Sequence, residues 1–103
     1  MDYFADEETV VTTDTRSKEY LIPKFKVILI NDDYTTKDFV VLVLKNIFHK
    51  NTNDAILIME TVHTNGSAVV GVYTYDIATT LVKRTTQMAR EAEFPLVCKI
   101  ESA

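Results

Sequence analysis

Three side chains rich in hydrogen-bond acceptors, Asn31, Asp32 and Asp33, follow directly on the apolar run Val27–Ile30. A further acceptor, His63, stands shortly before Gly66. An amide oxygen, a carboxylate and a neutral imidazole nitrogen can together accept the three N–H bonds of an ammonium group. If the fold brings the two places together, they form a pocket for a small positive donor, such as a free α-amino group.

Apolar residues could complete this pocket by enclosing a bulky side chain next to the amine. The candidates are Val40, Met59, Val62 and Leu96. Each member of the set also has a plainer interpretation. The polar run suits a turn with a helix cap, and His63 suits the last turn of a helix, where exposed carbonyls favour a cation. The apolar residues suit a core, so the residues alone leave both interpretations open.

Enzymatic chemistry has less support in the sequence. Asp32, Asp33 and His63 could ligate a metal ion, which makes a small metal-dependent hydrolase one alternative, but they are dispersed and no two histidines have i, i+4 spacing. The two glycines, Gly66 and Gly71, are too few for a phosphate-binding loop, and no G-x-S-x-G motif is present. The residues alone therefore favour no enzymatic reaction, and we expect neither a metal nor a cofactor.

The polar run has to be positioned by the elements around it. Phe25–Ile30 is rich in β-branched residues and predicts a strand. Thr35, with Asp38 three residues later, predicts the start of a first helix. Asn51 predicts the start of a second helix, which Gly66 ends in the left-handed C′ position. The apolar residues of both helices recur at helical spacing: Phe39, Val40, Val43, Leu44, Ile47, Phe48, Ala55, Ile58, Met59 and Val62.

The second half of the sequence continues with a strand, a helix and a strand. Ser67–Tyr75 predicts the strand, and Thr74 predicts the cap of the third helix. The apolar stripe of that helix comprises Ile77, Ala78, Leu81, Met88, Ala89 and Ala92. Beyond Pro95 apolar and polar residues alternate as in a strand, with Cys98 as a small buried hydrophobe. The order β-α-α-β-α-β predicts an α+β domain, a three-stranded antiparallel sheet covered by three helices.

The net charge of −4 is confined to the N-terminal segment. Residues 1–23 carry six acidic and two basic side chains, whereas residues 24–103 carry nine of each. The segment lacks apolar periodicity, so it cannot bury enough surface to offset the entropy lost on ordering. We expect a disordered N-terminal arm at 1–23 and a core domain at 24–103. No basic footprint for nucleic acid is present.

Membrane insertion and secretion are not predicted either. The longest apolar run, Phe39–Leu44, is far shorter than the ~18 residues that cross a bilayer. The acidic start of the chain has no apolar region of the kind found in secretory signals. A single cysteine excludes an internal disulfide. We therefore expect a cytoplasmic protein without a membrane partner.

Several short sequence motifs of the core occur in the same order and at the same spacing as in a known protein family. They are Lys26–Thr35, which is K-V-I-L-I-N-D-D-Y-T, then Phe39-Val40, Val62-His63 before Gly66, Gly71–Thr74 and Pro95–Cys98. In these motifs the chain, from about residue 24 to its last residue, resembles the ClpS adaptor family. The resemblance implies a small α+β adaptor that is not itself an enzyme and that binds proteins beginning with Phe, Leu, Tyr or Trp. Such adaptors deliver these proteins to the AAA+ unfoldase ClpA, which feeds the protease ClpP.

The resemblance also implies roles for individual residues. Asn31, Asp32 and His63 match the positions that hold the α-amino group and the first peptide bond of the substrate. Asp76 matches an acidic residue of the unfoldase-docking surface, and residues 1–23 match the extension that the unfoldase engages during delivery. The pocket for the first side chain corresponds to Thr35, Lys37, Val40, Met59, Val62 and Leu96.

Two departures from the family pattern affect these roles. Thr36-Lys37 stands where the family usually has Pro-Met, so Lys37 occupies the position that crowds the pocket mouth. Lysine is held less firmly there, and we expect a looser gate that admits Ile or Val more readily. Thr79–Leu81 replaces the usual E-T-K of the docking region, which removes a basic residue.

The main alternative is a non-degradative protein-interaction module. The C-terminal domain of the ribosomal stalk protein, which docks translation factors, belongs to the same small fold class. That domain has no reason to carry Asn31-Asp32-Asp33 together with Val62-His63. A dependence of binding on a free N-terminal amine separates the two functions, because only the adaptor requires it.

Overall fold

The structure, a computed structural model, describes residues 22–103. The elements in chain order are β1 (Phe25–Ile30), α1 (Lys37–Asn46), α2 (Thr52–Asn65), β2 (Ser67–Tyr73), α3 (Tyr75–Glu91) and β3 (Val97–Ser102). This is the predicted β-α-α-β-α-β order. The arm expected at 1–23 lies outside the described residues except for Ile22 and Pro23, which are both exposed. No helix within 22–103 has the length and the hydropathy needed to cross a bilayer.

The central strand of the sheet is β1, which pairs antiparallel with β2 on one side and with β3 on the other. Val27 and Leu29 are fully buried in the core against the helices. Since side chains alternate along a strand, Ile28 lies on the opposite face of the sheet. The register of β1 with β2 shifts between Val27 and Ile28, where β2 contains the extra residue Val70. The predicted three-stranded antiparallel sheet is confirmed.

The start of α1 differs by one residue from the prediction. Thr36, rather than Thr35, is the N-cap, and its side-chain oxygen accepts a hydrogen bond of 3.1 Å from the Phe39 amide. The Thr35 hydroxyl instead donates to a carboxylate oxygen of Asp32, at 2.7 Å. Two adjacent threonines can each cap a helix, and the preceding aspartate decides which one does so.

Both ends of α2 agree with the sequence prediction. The Asn51 side chain accepts from the Asp54 amide at 2.8 Å, which satisfies one of the free donors of the first turn. Gly66 ends the helix with a φ of 89°, a left-handed conformation that glycine adopts without steric cost. The amide of Gly66 donates to the Val62 carbonyl at 2.9 Å. The chain can therefore turn within one residue from α2 into β2.

The third helix contains the largest departures from the predicted pattern. β2 ends at Tyr73, and Thr74 occupies the N-cap position without a side-chain hydrogen bond. Ile77, predicted to face the core, is 51% exposed. Thr85 is fully buried instead, because its hydroxyl donates to the Leu81 carbonyl at 2.8 Å and so needs no water. The buried residues of α3 are Ala78, Thr85 and Ala89.

Packing explains why a cysteine stands at position 98 and a glycine at position 71, two positions in the family motifs given above. Cys98 lies in the core, and burial raises the pKa of its thiol to about 12, so the group is protonated and behaves as a small hydrophobe, as predicted. Gly71 lies under the ring of Tyr73. A Cβ atom at Gly71 would lie 2.5 Å from the hydroxyl oxygen of Tyr73, so any larger residue would displace that ring.

Candidate functional site

The end of β1 and the end of α2 are joined by one backbone hydrogen bond. The Asn31 amide donates to the Gly66 carbonyl at 2.9 Å. Asn31 directly follows β1, and His63 lies in the last turn of α2, just before Gly66. The polar run at Asn31 and the histidine at His63, which are distant in the sequence, therefore lie at one site. A pocket for an amine requires this proximity.

A cavity of about 230 Å³ opens between these two chain segments and the start of α1. It is smaller than the roughly 300–1,000 Å³ of pockets for drug-sized ligands, which fits a ligand the size of one amino-acid side chain. The structure brings most of the predicted site residues into its lining, which comprises Asn31, Asp32, Asp33, Thr35, Lys37, Val40, Met59, Val62 and His63. Asp33, considered above as a possible metal ligand, is an addition to the predicted pocket.

The lining has an apolar and a polar part. Val40, Met59 and Val62 are buried and belong to the hydrophobic core, so their side chains present a dry, fixed wall. Asn31 and His63 are exposed at the mouth, where a ligand can reach them from solvent. The arrangement suits a ligand with an apolar body and a polar, donor-rich end.

Asp32 organises the loop that forms the polar part. One carboxylate oxygen, Oδ1, accepts from the Tyr34 amide at 2.8 Å and from the Thr35 amide at 2.6 Å. The other oxygen, Oδ2, accepts from the Thr35 hydroxyl at 2.7 Å. A carboxylate offers about four acceptor positions, so one remains for a ligand. Asp32 thus shapes the loop first and has limited capacity for direct binding.

These contacts also keep Asp32 ionised. Partial burial by itself raises the pKa of the carboxyl group, but hydrogen bonds from Thr35 and Tyr34, with the positive charge of Arg90, bring the pKa below its ordinary value. The sequence gives no indication that Arg90 contributes to the pKa of Asp32. Its guanidinium donates to the carbonyls of Phe94 and Leu96, at 2.8 and 3.1 Å, and so holds the segment between α3 and β3 in place.

Lys37, the residue that departs from the family pattern, lies in the cavity lining at the first position of α1. Its ammonium is 3.9 Å from a carboxylate oxygen of Glu60 in α2, and both side chains are about half exposed. An exposed pair of this kind contributes little to stability, because water and salt screen it. The Lys37–Glu60 pair matters for where it lies, since it joins α1 and α2 at the rim of the cavity.

Two predicted site residues lie outside the cavity. Leu96 was expected in the side-chain pocket, but it is only 1% exposed and lies in the core rather than in the lining. Asp76 lies in the first turn of α3, in a surface depression with Ile22, Pro23, Phe25, Thr74 and Tyr75. That depression is at the other end of β1.

The metal alternative gains no support from the geometry. Within 22–103, no three His, Cys, Asp or Glu side chains lie close enough to hold one metal ion. Asp32, Asp33 and His63 do share the cavity, but Asp32 directs its oxygens to its own loop.

The fold and the site define a class of protein: a small α+β domain with a small cavity that has an apolar wall and a rim of hydrogen-bond acceptors. Sequence comparison gives the family. The sequence model of the ATP-dependent Clp protease adaptor protein ClpS matches residues 22–99, and the chain belongs to the ClpS family. The ClpS adapter of Acetivibrio thermocellus is 51% identical over 92% of this chain and 96% of its own length.

Further relatives agree with this assignment. The ClpS adapter of Myxococcus xanthus is 46% identical over 93% of this chain and 92% of its own length. Among solved structures, that of Agrobacterium tumefaciens ClpS2 bound to L-phenylalaninamide has a TM-score of 0.77 and 43% identity. It covers 80% of this chain and 99% of its own. The resemblance derived from the sequence is therefore confirmed at the level of the family.

The lowered pKa of Asp32 predicts how stability depends on pH. The carboxylate binds protons less readily in the folded state, so its stabilising effect is present above the unfolded aspartate pKa of about 3.9 and is lost as the pH falls through the folded value. Asp32→Asn should lower the free energy of unfolding at pH 7, and the difference from wild type should shrink below about pH 4. Urea unfolding followed by circular dichroism at several pH values measures this difference in the free energy of unfolding. A difference that is constant across pH contradicts the assignment.

A matched control separates this effect from net charge. Asp33→Asn removes the same charge from the adjacent residue but leaves the hydrogen bonds of Asp32 intact. If Asp33→Asn reproduces the pH dependence of Asp32→Asn, the effect belongs to overall charge and the proposed cause is wrong.

Proposed function

We propose that this protein is an adaptor for N-degrons: it binds proteins whose first residue is Phe, Leu, Tyr or Trp and delivers them to the ClpA unfoldase of the ClpA–ClpP protease. The observation that carries the proposal is the cavity in which Asn31, Asp32 and His63 stand beside an apolar wall. A free N-terminus with a bulky first residue has the matching chemistry, three N–H donors next to an apolar side chain. The adaptor itself needs no catalytic group.

Recognition of the amine follows from the polar rim. The Asn31 side-chain oxygen, the remaining acceptor position of Asp32 and an unprotonated nitrogen of His63 would each accept one N–H bond of the ammonium group. Hydrogen bonds to a charged donor are worth ~1.5–3 kcal/mol, more than neutral ones. An acetylated N-terminus has lost both the charge and two donors, so it should bind much less tightly.

Recognition of the first side chain follows from the buried wall. Val40, Met59 and Val62 keep fixed positions because they are also core residues, so binding requires little reorganisation. The size of the cavity limits the ligand to one side chain. The solved ClpS2 relative, 43% identical, carries L-phenylalaninamide, a ligand with a free α-amino group and an aromatic side chain, and this supports the same ligand chemistry here.

Delivery would use the opposite end of the domain. Asp76 shares a depression with Ile22 and Pro23, so residues 1–21 connect to the domain next to the proposed docking residue. The cavity lies beyond the other end of β1, and the six residues of that strand extend over about 17 Å. A substrate and an unfoldase could therefore be engaged together without competing for one surface.

We refer to the acceptors of Asn31, Asp32 and His63 as the amine clamp. Its role in binding predicts what happens when one of these side chains is removed. His63→Ala and Asn31→Ala should each weaken binding of a peptide that begins with Phe by roughly 10- to 100-fold, because each loses a charge-assisted hydrogen bond. The Asn31 backbone bond remains, so folding should be intact. Fluorescence anisotropy with a labelled peptide measures the affinity. Unchanged binding in both variants would remove the basis of the assignment.

The controls use a second histidine and a blocked peptide. His49→Asn changes the other histidine, which is exposed beyond α1, outside the cavity lining, at a φ of 57° that asparagine tolerates. This variant should bind like the wild type. The N-acetylated peptide should bind poorly to all variants. Equal binding of the free and the acetylated peptides would favour a ribosomal-stalk-like interaction module instead.

Delivery can be separated from binding by truncation. Removal of residues 1–21 leaves Ile22 and Pro23 in their depression and leaves the cavity intact, so the affinity for the Phe peptide should not change. Degradation of a Phe-initiated reporter by ClpA–ClpP should be abolished. Asp76→Lys should reduce degradation at unchanged peptide affinity, whereas the control Glu93→Lys makes the same charge change at an exposed residue outside both the depression and the cavity lining and should leave degradation unchanged. Normal degradation with the truncated protein contradicts a role for the arm.

A further inference from the structure

A second apolar surface adjoins the cavity. It is a groove of about 480 Å³ along the outer side of α1 and α2, lined by Asp38, Val41, Leu42, Lys45, Ile56 and Met59. We refer to these residues as the α1–α2 groove. Leu42 and Ile56 are 44% and 42% exposed, so two large aliphatic side chains are accessible to a ligand in one groove. An apolar side chain that entered this groove would remove part of their surface from water.

The groove is continuous with the cavity. Met59 lines both, and Lys37 of the cavity lining is followed directly by Asp38 of the groove lining. The ion pair of Lys37 with Glu60 marks the boundary between them. A chain that leaves the cavity across this boundary therefore enters the groove without crossing any other element.

We propose that the α1–α2 groove binds the third residue of the substrate and prefers a large aliphatic side chain there. The inference rests on the proposed function, because it requires the first residue to occupy the cavity. It names an additional feature of the substrate, so that recognition extends beyond the first residue. The occupant is the downstream part of the same peptide.

The dimensions fit an extended peptide. From Asp38 to Leu42 the helix rises by about 6 Å. Two residues of an extended chain cover about 7 Å, and side chains alternate between its two sides. When the first side chain points into the cavity, the second therefore points to solvent near Lys37 and Glu60. The third points back toward the protein, about 7 Å along the chain from the first, on the side where the groove adjoins the cavity at Met59.

Peptides that differ only at their second and third positions test the inference. Phe-Ser-Leu-Ser-Ser should bind the wild-type protein about three- to tenfold more tightly than Phe-Ser-Ser-Ser-Ser, because part of a leucine side chain leaves water. Phe-Leu-Ser-Ser-Ser, in which the leucine points to solvent, should show no such gain. Leu42→Ser and Ile56→Ser should each reduce the gain of Phe-Ser-Leu-Ser-Ser while leaving the affinity for Phe-Ser-Ser-Ser-Ser unchanged.

The matched control is Leu57→Ser, which removes a leucine that is 66% exposed on α2 but does not line the groove. It should keep the full gain. If Phe-Ser-Ser-Ser-Ser binds and a leucine in the third position gives no gain, or a gain that Leu42→Ser and Ile56→Ser leave intact, the inference is wrong while the proposed function stands. If no Phe peptide binds, both are wrong. If the variants lose only degradation by ClpA–ClpP, the groove belongs to the unfoldase and the inference is again wrong.

Discussion

The hydrogen bond from the Asn31 amide to the Gly66 carbonyl is the contact on which the site depends. It joins the end of the central strand to the end of α2 at 2.9 Å. It forms because Gly66, with a φ of 89°, turns the chain sharply from α2 into β2. A residue with a Cβ atom would lose about 1–2 kcal/mol in that conformation. The same turn brings His63 and Asn31 to one cavity, so the proposed amine site depends on one left-handed glycine.

The rest of the site is assembled around this junction by elements that also build the core. Met59 and Val62 contribute to the cavity wall and to the hydrophobic core, and Val40 does the same from α1. The loop between β1 and α1 is held by the carboxylate of Asp32, which takes three hydrogen bonds from Tyr34 and Thr35. The cavity is therefore rigid on its apolar side and internally bonded on its polar side. Such preorganisation lowers the entropic cost of binding a small ligand.

Much of this arrangement could be predicted from local sequence signals. A β-branched run before Asn31 predicts the strand, and Gly66 after a helical stripe predicts the turn, because each signal acts within a few residues. Features that depend on distant partners could not be predicted. The pairing of Lys37 with Glu60 and the contribution of Arg90 to Asp32 both arise from tertiary packing.

The start of α1 was predicted wrongly, and the cause is equally specific. Thr35 was predicted as the cap of α1, but the nearby Asp32 takes its hydroxyl, and Thr36 becomes the cap. The position of Leu96 shows a limit of sequence patterns. It was expected in the pocket, and the structure places its side chain in the core, outside the cavity lining. Periodicity cannot separate a core residue from a neighbouring pocket residue, since both are apolar and both face inward.

Hydrogen exchange of the Asn31 amide, in the protein without ligand, tests the central claim that the clamp exists before a ligand binds. A bonded amide in a stable junction exchanges only when the structure opens, whereas a free loop amide exchanges at the rate of an unstructured peptide. We expect the Asn31 amide to be protected to within about tenfold of the Leu29 amide in the middle of β1. Exchange of the Asn31 amide at the unstructured rate, with Leu29 still protected, would show that the two halves of the site are not joined.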